Sequence, residues 1–251
     1  MVGEIVIPAR LASTRLPEKL LLKETGKTIV EHTYRSCQKA RLLKRITVAV
    51  DHERTLQAVH EFGGYAQMTD VKAQSGTDRV AEIARGRPDV EIFVNVQGDE
   101  PEISGDAIDA VFQLLQSDPR ADIATLATPI RTRRDLEDPA CVKVVCGHDS
   151  SALYFSRSVV PFPRNWDEGL LFAEPPVFLQ HLGIYAYRRD FLMRIDEFPS
   201  SPLEQIEKLE QLRFLQSGRR IKVGVVAKSQ RGIDTREDYE SFKARWMQKS
   251  G

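Results

Sequence analysis

The run Ala9-Arg10-Leu11-Ala12-Ser13-Thr14-Arg15-Leu16-Pro17-Glu18-Lys19 gathers the cations Arg10, Arg15 and Lys19 among small and hydroxyl-bearing residues. Guanidinium forks and an ammonium neutralise phosphate oxygens, and small side chains let the main chain approach them. Such a loop suits a polyphosphate; a merely solvated cluster of charges is the alternative. A second group is acidic. In Asn95-Val96-Gln97-Gly98-Asp99-Glu100-Pro101, Asp99 follows an apolar run and sits beside a glycine. Asp234, in Gly232-Ile233-Asp234-Thr235, precedes a helical pattern. Magnesium beside phosphates takes oxygen ligands and few protein carboxylates, so Asp99 and Asp234 are candidate ligands. An Asp before a helix can also be only a cap, but Thr235 supplies a cap of its own.

Other motifs are weaker. Gln74-Ser75-Gly76-Thr77-Asp78-Arg79 opens an amphipathic pattern, and a helix start offers free N–H groups to an anion; capping alone also explains its hydroxyls. Gly26-Lys27-Thr28 imitates the end of a phosphate-binding P-loop, but Leu21 stands where that motif needs its first glycine. A turn at Gly26 with Thr28 as helix N-cap is the better reading. His181 and Tyr185 share one face of a predicted strand. Glu210 and Gln211, late in a helical pattern, and Arg157, after a strand-like run, are further site candidates. The bland reading, which the residues alone slightly favour, makes Glu210 a surface charge and Tyr185 core, and Arg157 stands similarly.

The elements that position these residues follow from periodicity. Strand-length apolar runs at 4–8, 46–50, 65–68, 91–96 and 122–127 alternate with helical patterns, such as Ile29, Val30, Tyr34 and Cys37. Alternation of this kind predicts a largely parallel sheet covered on both faces, with ligands beyond the carboxyl ends of its strands. After residue 140 the rhythm changes. Strands at 142–146, 152–156 and 183–187 frame a loop with Pro161, Pro163, Pro175 and Pro176. This predicts an inserted antiparallel section, about 142–190, in a single domain spanning 1–251. One long helix is expected over 203–215 with Gly218 at its C′ position, then a strand at 221–226 and a helix over 235–249 capped by Thr235.

The bulk properties narrow the class. Thirty-six basic and 36 acidic residues cancel, which argues against a nucleic-acid coat or a membrane-surface protein. No stretch approaches the roughly 18 apolar residues of a membrane span. Met1 leads directly into a strand-like run, so the chain is expected to stay where it is made, in the cytoplasm. Cys37, Cys141 and Cys146 fit no zinc spacing and read as reduced thiols.

Taken in order, these segments resemble the 3-deoxy-manno-octulosonate (Kdo) cytidylyltransferase family. The resemblance runs from Ile7 to Pro17, through Gln74–Arg79 and Asn95–Pro101, to Val142-Lys143-Val144-Val145 and Ala152-Leu153-Tyr154-Phe155-Ser156-Arg157. It continues through His181-Leu182-Gly183-Ile184-Tyr185, Ser201-Pro202-Leu203-Glu204 and Glu207 to Arg213, and closes on Asp234-Thr235-Arg236-Glu237-Asp238. It implies an α/β nucleotide-diphospho-sugar transferase (Rossmann-like) fold with a mixed central sheet, usually a homodimer. It implies the reaction CTP + Kdo → CMP-Kdo + pyrophosphate, serving lipopolysaccharide biosynthesis, with Mg2+ as cofactor and neither nucleic acid nor membrane as partner. Carried over by position, Ala9, Arg10, Arg15, Lys19, Gln74, Ser75, Gly76 and Asp78 bind CTP. Arg79, Gln97, Arg157, His181, Tyr185, Glu210 and Gln211 hold the sugar. Asp99 and Asp234 hold the metal, and Lys19, Arg10, Asp99 and Asp234 form the catalytic set. Two positions depart from the family pattern: Glu18 stands where Gly is usual, and Ala73 where His is common. A related sugar acid (8-amino-Kdo or a sialic acid) and an inactive nucleotide-binding module are the alternative readings.

Overall fold

The computed structural model describes residues 1–227 and 232–250. Its contacts cluster into two compact units, Met1–Asp109 with Gln230–Gly251, and Ala110–Ser229. The sequence pattern predicts one domain with an insert, whereas the contacts separate these two units.

In the first unit the predicted alternation is present: β1 (Gly3–Ala9), α1 (Ile29–Cys37), β2 (Arg45–Val50), α2 (Glu53–Glu61), β3 (Ala66–Met68), α3 (Gly76–Arg85) and β4 (Ile92–Asn95). The strands pair in the order β3-β2-β1-β4, all parallel. Ile5, Val6 and Ile7 point to alternate faces of β1 and are all fully buried, so both faces of this strand are covered. Helices α1 and α3 pack against it. The carboxyl ends of β1, β2 and β4 lead into Arg10, Asp51 and Val96, which brings the loops after these strands to one edge of the sheet.

Local chemistry sets the helix starts. Gly26 has φ +84°, a left-handed turn that suits glycine. Thr28 then caps α1, its Oγ1 accepting from Glu31 N at 3.2 Å. Thr28→Ala is expected to cost about 1 kcal/mol, read as a shift of the urea midpoint at unchanged slope.

Helix α4 (Gly105–Ser117) leads on to β5 (Ile123–Pro129), α5 (Arg133–Glu137), β6 (Lys143–Cys146), β7 (Ala152–Ser156), β8 (Leu179–Arg188), α6 (Arg189–Met193), α7 (Pro202–Glu207), α8 (Gln211–Gln216) and β9 (Ile221–Val225). In the second unit β5 pairs antiparallel with β8 and parallel with β9, so its sheet is mixed. The expected antiparallel section is present as β6 paired with β7 and, at Lys143, with β8. Under the proline-bearing loop, Ile130, Leu136, Cys141, Leu171 and Phe178 form a small core.

One expectation fails. The helix over 203–215 is two helices, because Lys208 turns left-handed at φ 55°, ψ 45° and closes α7. The break buries Leu209 and makes Glu210 the N-cap of α8, with buried Gln211 as its first residue. Gly218 does occupy the expected position after α8, at φ +72°. Helix α9 (Arg236–Ser250) returns the chain to the first unit. No helix among the described residues is long and apolar enough to cross a membrane.

Candidate functional site

A pocket of about 440 Å³ opens in the first unit, lined by Pro8, Arg10, Ala12–Arg15, Lys19, Leu20, Gln74–Gly76, Gln97–Asp99 and Asp234. It therefore combines the cationic loop after β1, the start of α3, the loop after β4 and the entry to α9.

Asp99 owes its position to main-chain anchoring. Two hydroxyls of α1 hold its loop: Thr33 Oγ1 donates to Gly98 O at 2.8 Å and Ser36 Oγ to Pro101 O at 2.7 Å. Gly98 is required there, because a Cβ would lie 2.9 Å from Pro8 O. Ile233 N donates to Asp99 O at 2.8 Å, which docks the segment carrying Asp234 against that loop. Asp234 is not the cap of α9. Thr235 Oγ1 accepts from Asp238 N at 3.2 Å, and Asp238 Oδ2 accepts from Thr235 N at 2.8 Å, closing a reciprocal cap one residue later.

The Asp234 carboxylate instead faces cations. Arg15 Nη2 lies 2.9 Å from its Oδ1, and Lys19 Nζ lies 3.1 Å from the same atom. Lys19 Nζ also donates to Asp99 Oδ2 and, at 2.9 Å, to Ile233 O. Burial works against the Lys19 ammonium, but Asp99 and then Asp234 outweigh it and raise its pKa. Two carboxylates thus converge on one positive charge. That is the arrangement a hard divalent cation needs from a protein when phosphate and water complete its shell. Among the described residues no larger cluster of His, Cys, Asp or Glu offers itself to a metal.

Behind this pair lies Glu100. Burial, reinforced by Asp99 and then Asp234 and opposed by Lys19, pushes its pKa up to about 8 from 4.5. Its folded value exceeds its unfolded one. Its stabilising contribution is therefore complete below pH 4.5 and is lost as pH rises through about 8. In chelator, the melting temperature should fall between pH 5 and pH 8.5, and Glu100→Gln should flatten that fall. Differential scanning fluorimetry of both proteins checks this; parallel pH profiles would contradict it.

The remaining residues with expected roles distribute as follows. Arg10, Arg15, Lys19, Gln74, Ser75, Gly76, Gln97, Asp99 and Asp234 line the pocket. Ala9 is fully buried at the end of β1. Asp78 accepts from Ser75 N at 2.9 Å and completes the capping box of α3 rather than lining the pocket. Arg79 is 1% exposed, and its guanidinium is engaged by Thr69, Asp70 and Asp51. Glu18 turns away from the pocket into a two-pronged pair with Arg54, which lowers its pKa. Sequence reasoning passed over Asp51 and the pocket-lining Pro8 and Leu20. Asp51 follows β2 directly, so the rule that singled out Asp99 at a strand's carboxyl end applied to it as well.

Arg157, His181, Tyr185, Glu210 and Gln211 belong to the second unit. Burial pushes the His181 pKa down to about 3, so the ring is neutral. The Thr125 hydroxyl directs its hydrogen at Ile184 O, 2.7 Å away. It therefore accepts from His181 Nε2 at 3.1 Å, which assigns the ring hydrogen to Nε2 and leaves Nδ1 as an acceptor. Tyr185 lies 5.3 Å from that ring, and burial, Tyr187 and Glu210 hold its phenol well above the usual range. Glu210 pairs with Arg213. Gln211 Nε2 is buried with no hydrogen-bond partner among the described residues. Arg157 is clamped: its Nε donates to Glu207 O at 2.7 Å, and its carbonyl accepts from the fully buried Lys143 at 2.7 Å.

Fold and pocket together define a nucleotidyltransferase of the α/β class. The family model described as cytidylyltransferase matches residues 5–221. A 3-deoxy-manno-octulosonate cytidylyltransferase of Rhodopirellula baltica is 52% identical over 96% of this chain and 97% of its own. That of Geobacter sulfurreducens is 46% identical over 94% and 95%. The solved structure of CMP:2-keto-3-deoxy-manno-octonic acid synthetase complexed with CTP superposes with a TM-score of 0.91 at 40% identity, covering 99% of this chain and all of that one. The chain belongs to the 3-deoxy-manno-octulosonate cytidylyltransferase family.

Proposed function

We propose that the chain transfers CMP from CTP to the anomeric hydroxyl of Kdo, releasing pyrophosphate, in the cytoplasm and for lipopolysaccharide biosynthesis. The observation that carries this reading is the convergence of Arg10, Arg15 and Lys19 with Asp99 and Asp234 in one pocket, in a chain whose relatives are named for that reaction. The sugar oxygen forms a bond to the α-phosphorus of CTP as the bond to the bridging oxygen breaks. Pyrophosphate leaves with that electron pair, and the hydroxyl proton passes to solvent. Arg10, Arg15 and Lys19 neutralise charge on the departing pyrophosphate. Asp99 and Asp234 would hold a magnesium ion, which when bound would supply Lewis acidity to the reacting groups. Ser75, Gly76 and Gln74 present main-chain and amide groups at the start of α3 to the nucleotide.

Gln97, Arg157, His181, Tyr185, Glu210 and Gln211 are assigned to the sugar, while Arg79, carried over with them, has its guanidinium engaged by Thr69, Asp70 and Asp51 and acts through those contacts. The Gln211 Nε2 donor, buried without a hydrogen-bond partner among the described residues, supports that assignment, since a polyol acid supplies acceptors. We assign a homodimer as the working form. Phe162 is 81% exposed and Phe172 66%, and both lie in the section 142–190, which we assign to dimerisation and sugar binding.

A pyrophosphate-release assay with CTP, Mg2+ and a panel of Kdo, 8-amino-Kdo and sialic acid tests the reading. Release with Kdo at the highest kcat/KM is expected. A preference for another acid would reassign the substrate, and no release with any of them would favour an inactive binding module. Light scattering should give twice the 28.4 kDa chain mass.

A further inference from the structure

Asp51 stands outside every role described so far, yet both of its carboxylate oxygens are committed. Oδ1 accepts from Leu11 N at 2.9 Å. Leu11 lies between Arg10 and Ala12, which line the pocket. Oδ2 is 3.1 Å from Nη2 of Arg79, which reaches in from α3. The other prong of that guanidinium donates to Thr69 Oγ1 at 2.6 Å and Asp70 O at 3.0 Å. Thr69 is in turn tied to Val50 O through its amide at 2.8 Å and its hydroxyl at 2.9 Å. A bracket therefore runs from the phosphate loop through Asp51 and Arg79 to the segment that ends in Gln74, Ser75 and Gly76. Arg10 closes it on the pocket side by donating to Ala73 O at 3.1 Å.

The two ends of this bracket both line the pocket. The hydrogen bond at Leu11 N fixes the direction in which the chain leaves β1, and with it the reach of Arg10 and of the residues from Ala12 to Arg15. We propose that Asp51 is a positioning residue for CTP: by holding the Leu11 amide against the Arg79 bracket, it sets the phosphate loop at the distance from Gln74–Gly76 that the nucleotide requires. It touches no substrate atom. The inference rests on the pocket being the CTP site, so the test separates the two.

Losing the Asp51 charge also strands a buried arginine, which affects folding whatever else it does. The comparison is therefore made in an Arg79→Gln background, where no buried charge is left over and the guanidinium arm of the bracket is missing from both variants alike, so that the bond to Leu11 N is the one difference between them. Asp51→Asn keeps an oxygen for Leu11 N, and Asp51→Ala does not. Calorimetry with CTP and Mg2+, without Kdo, is run beside thermal melts. The alanine double variant should bind CTP about tenfold more weakly than the asparagine double variant, the loss expected for one hydrogen bond that orders a loop. The CTP KM should move by the same factor, while kcat at saturating CTP separates the two variants by less than about threefold. Equal CTP affinities, or an affinity loss that follows the melting temperature across the set, would overturn the positioning role. If the alanine variant is recovered unfolded, Asp51→Ser, whose hydroxyl is too short for Leu11 N, is judged by the same criteria. Failure of the unmodified protein to bind CTP would instead overturn the nucleotide site itself.

Discussion

Asp99→Ala is expected to lower turnover by about two orders of magnitude or more, the scale on which loss of a metal site acts. The physical case rests on how the residue is held. Its loop is anchored through Gly98 O, Pro101 O and Asp99 O, all main-chain atoms. Removing the carboxylate therefore leaves the backbone in place, and the variant should melt close to the unmodified protein. What disappears is one of the two carboxylates proposed to hold the metal, which is also the main partner of Lys19. Single-turnover pyrophosphate release at saturating CTP, Mg2+ and Kdo measures the chemical step. Asp99→Asn, which keeps the shape and one neutral oxygen, should fall between the two. Near-normal release by Asp99→Ala with CTP binding intact would sink the metal assignment.

The positions of Asp99 and Arg10 were readable because parallel strands announce themselves by apolar runs, and their carboxyl ends are where ligands collect. The runs at 4–8 and 91–96 became β1 and β4 with a shift of one residue at each end. Asp234 was readable as a candidate but not as distinct from a cap. That distinction needed the reciprocal bonds of Thr235 and Asp238, which free its carboxylate for Lys19 and Arg15. Glu18 illustrates the opposite case. A carboxylate inside a phosphate loop looks unfavourable until the partner is known: the residue stands at φ 50°, a conformation that explains a family preference for glycine, and Arg54 from another helix takes its charge.

Other features had no local signature. The break at Lys208 interrupts a segment whose apolar spacing fits one continuous helix, and burial of Leu209 and Gln211 overrides that spacing. Asp78 and Arg79 share a motif with pocket-lining residues, but helical geometry turns Asp78 back onto the Ser75 amide and sends Arg79 beneath the pocket. Composition identifies which residue types can bind phosphate; it does not identify which of them already have partners. Asp51 was missed for that reason, since its two partners lie 40 residues back at Leu11 and 28 residues on at Arg79.

Lys19→Ala should lower kcat, by about 100-fold, more than it raises the KM for CTP. In the structure the ammonium lies against both Asp99 and Asp234 and also against Ile233 O. Before the nucleotide arrives, its charge is thus already spent on the carboxylates. In the proposed reaction, CTP with a divalent cation would offer those carboxylates a stronger partner and the ammonium a new one, the phosphate chain. The interaction of Lys19 with phosphate is then strongest when the leaving group carries the most charge, which places the loss in kcat rather than in KM. The same geometry makes a second, opposite forecast for the same variant. Without CTP, Asp99 and Asp234 face each other with Arg15 as the remaining cation on Asp234, and like charges so placed attract a divalent ion. Lys19→Ala should therefore bind Mn2+, used as a spectroscopic substitute for Mg2+, more tightly than the unmodified protein in the absence of nucleotide, while turning over far more slowly. A raised KM at unchanged kcat would make Lys19 a ground-state binding residue. Unchanged Mn2+ affinity would show that the ammonium and the metal do not compete for the same two carboxylates.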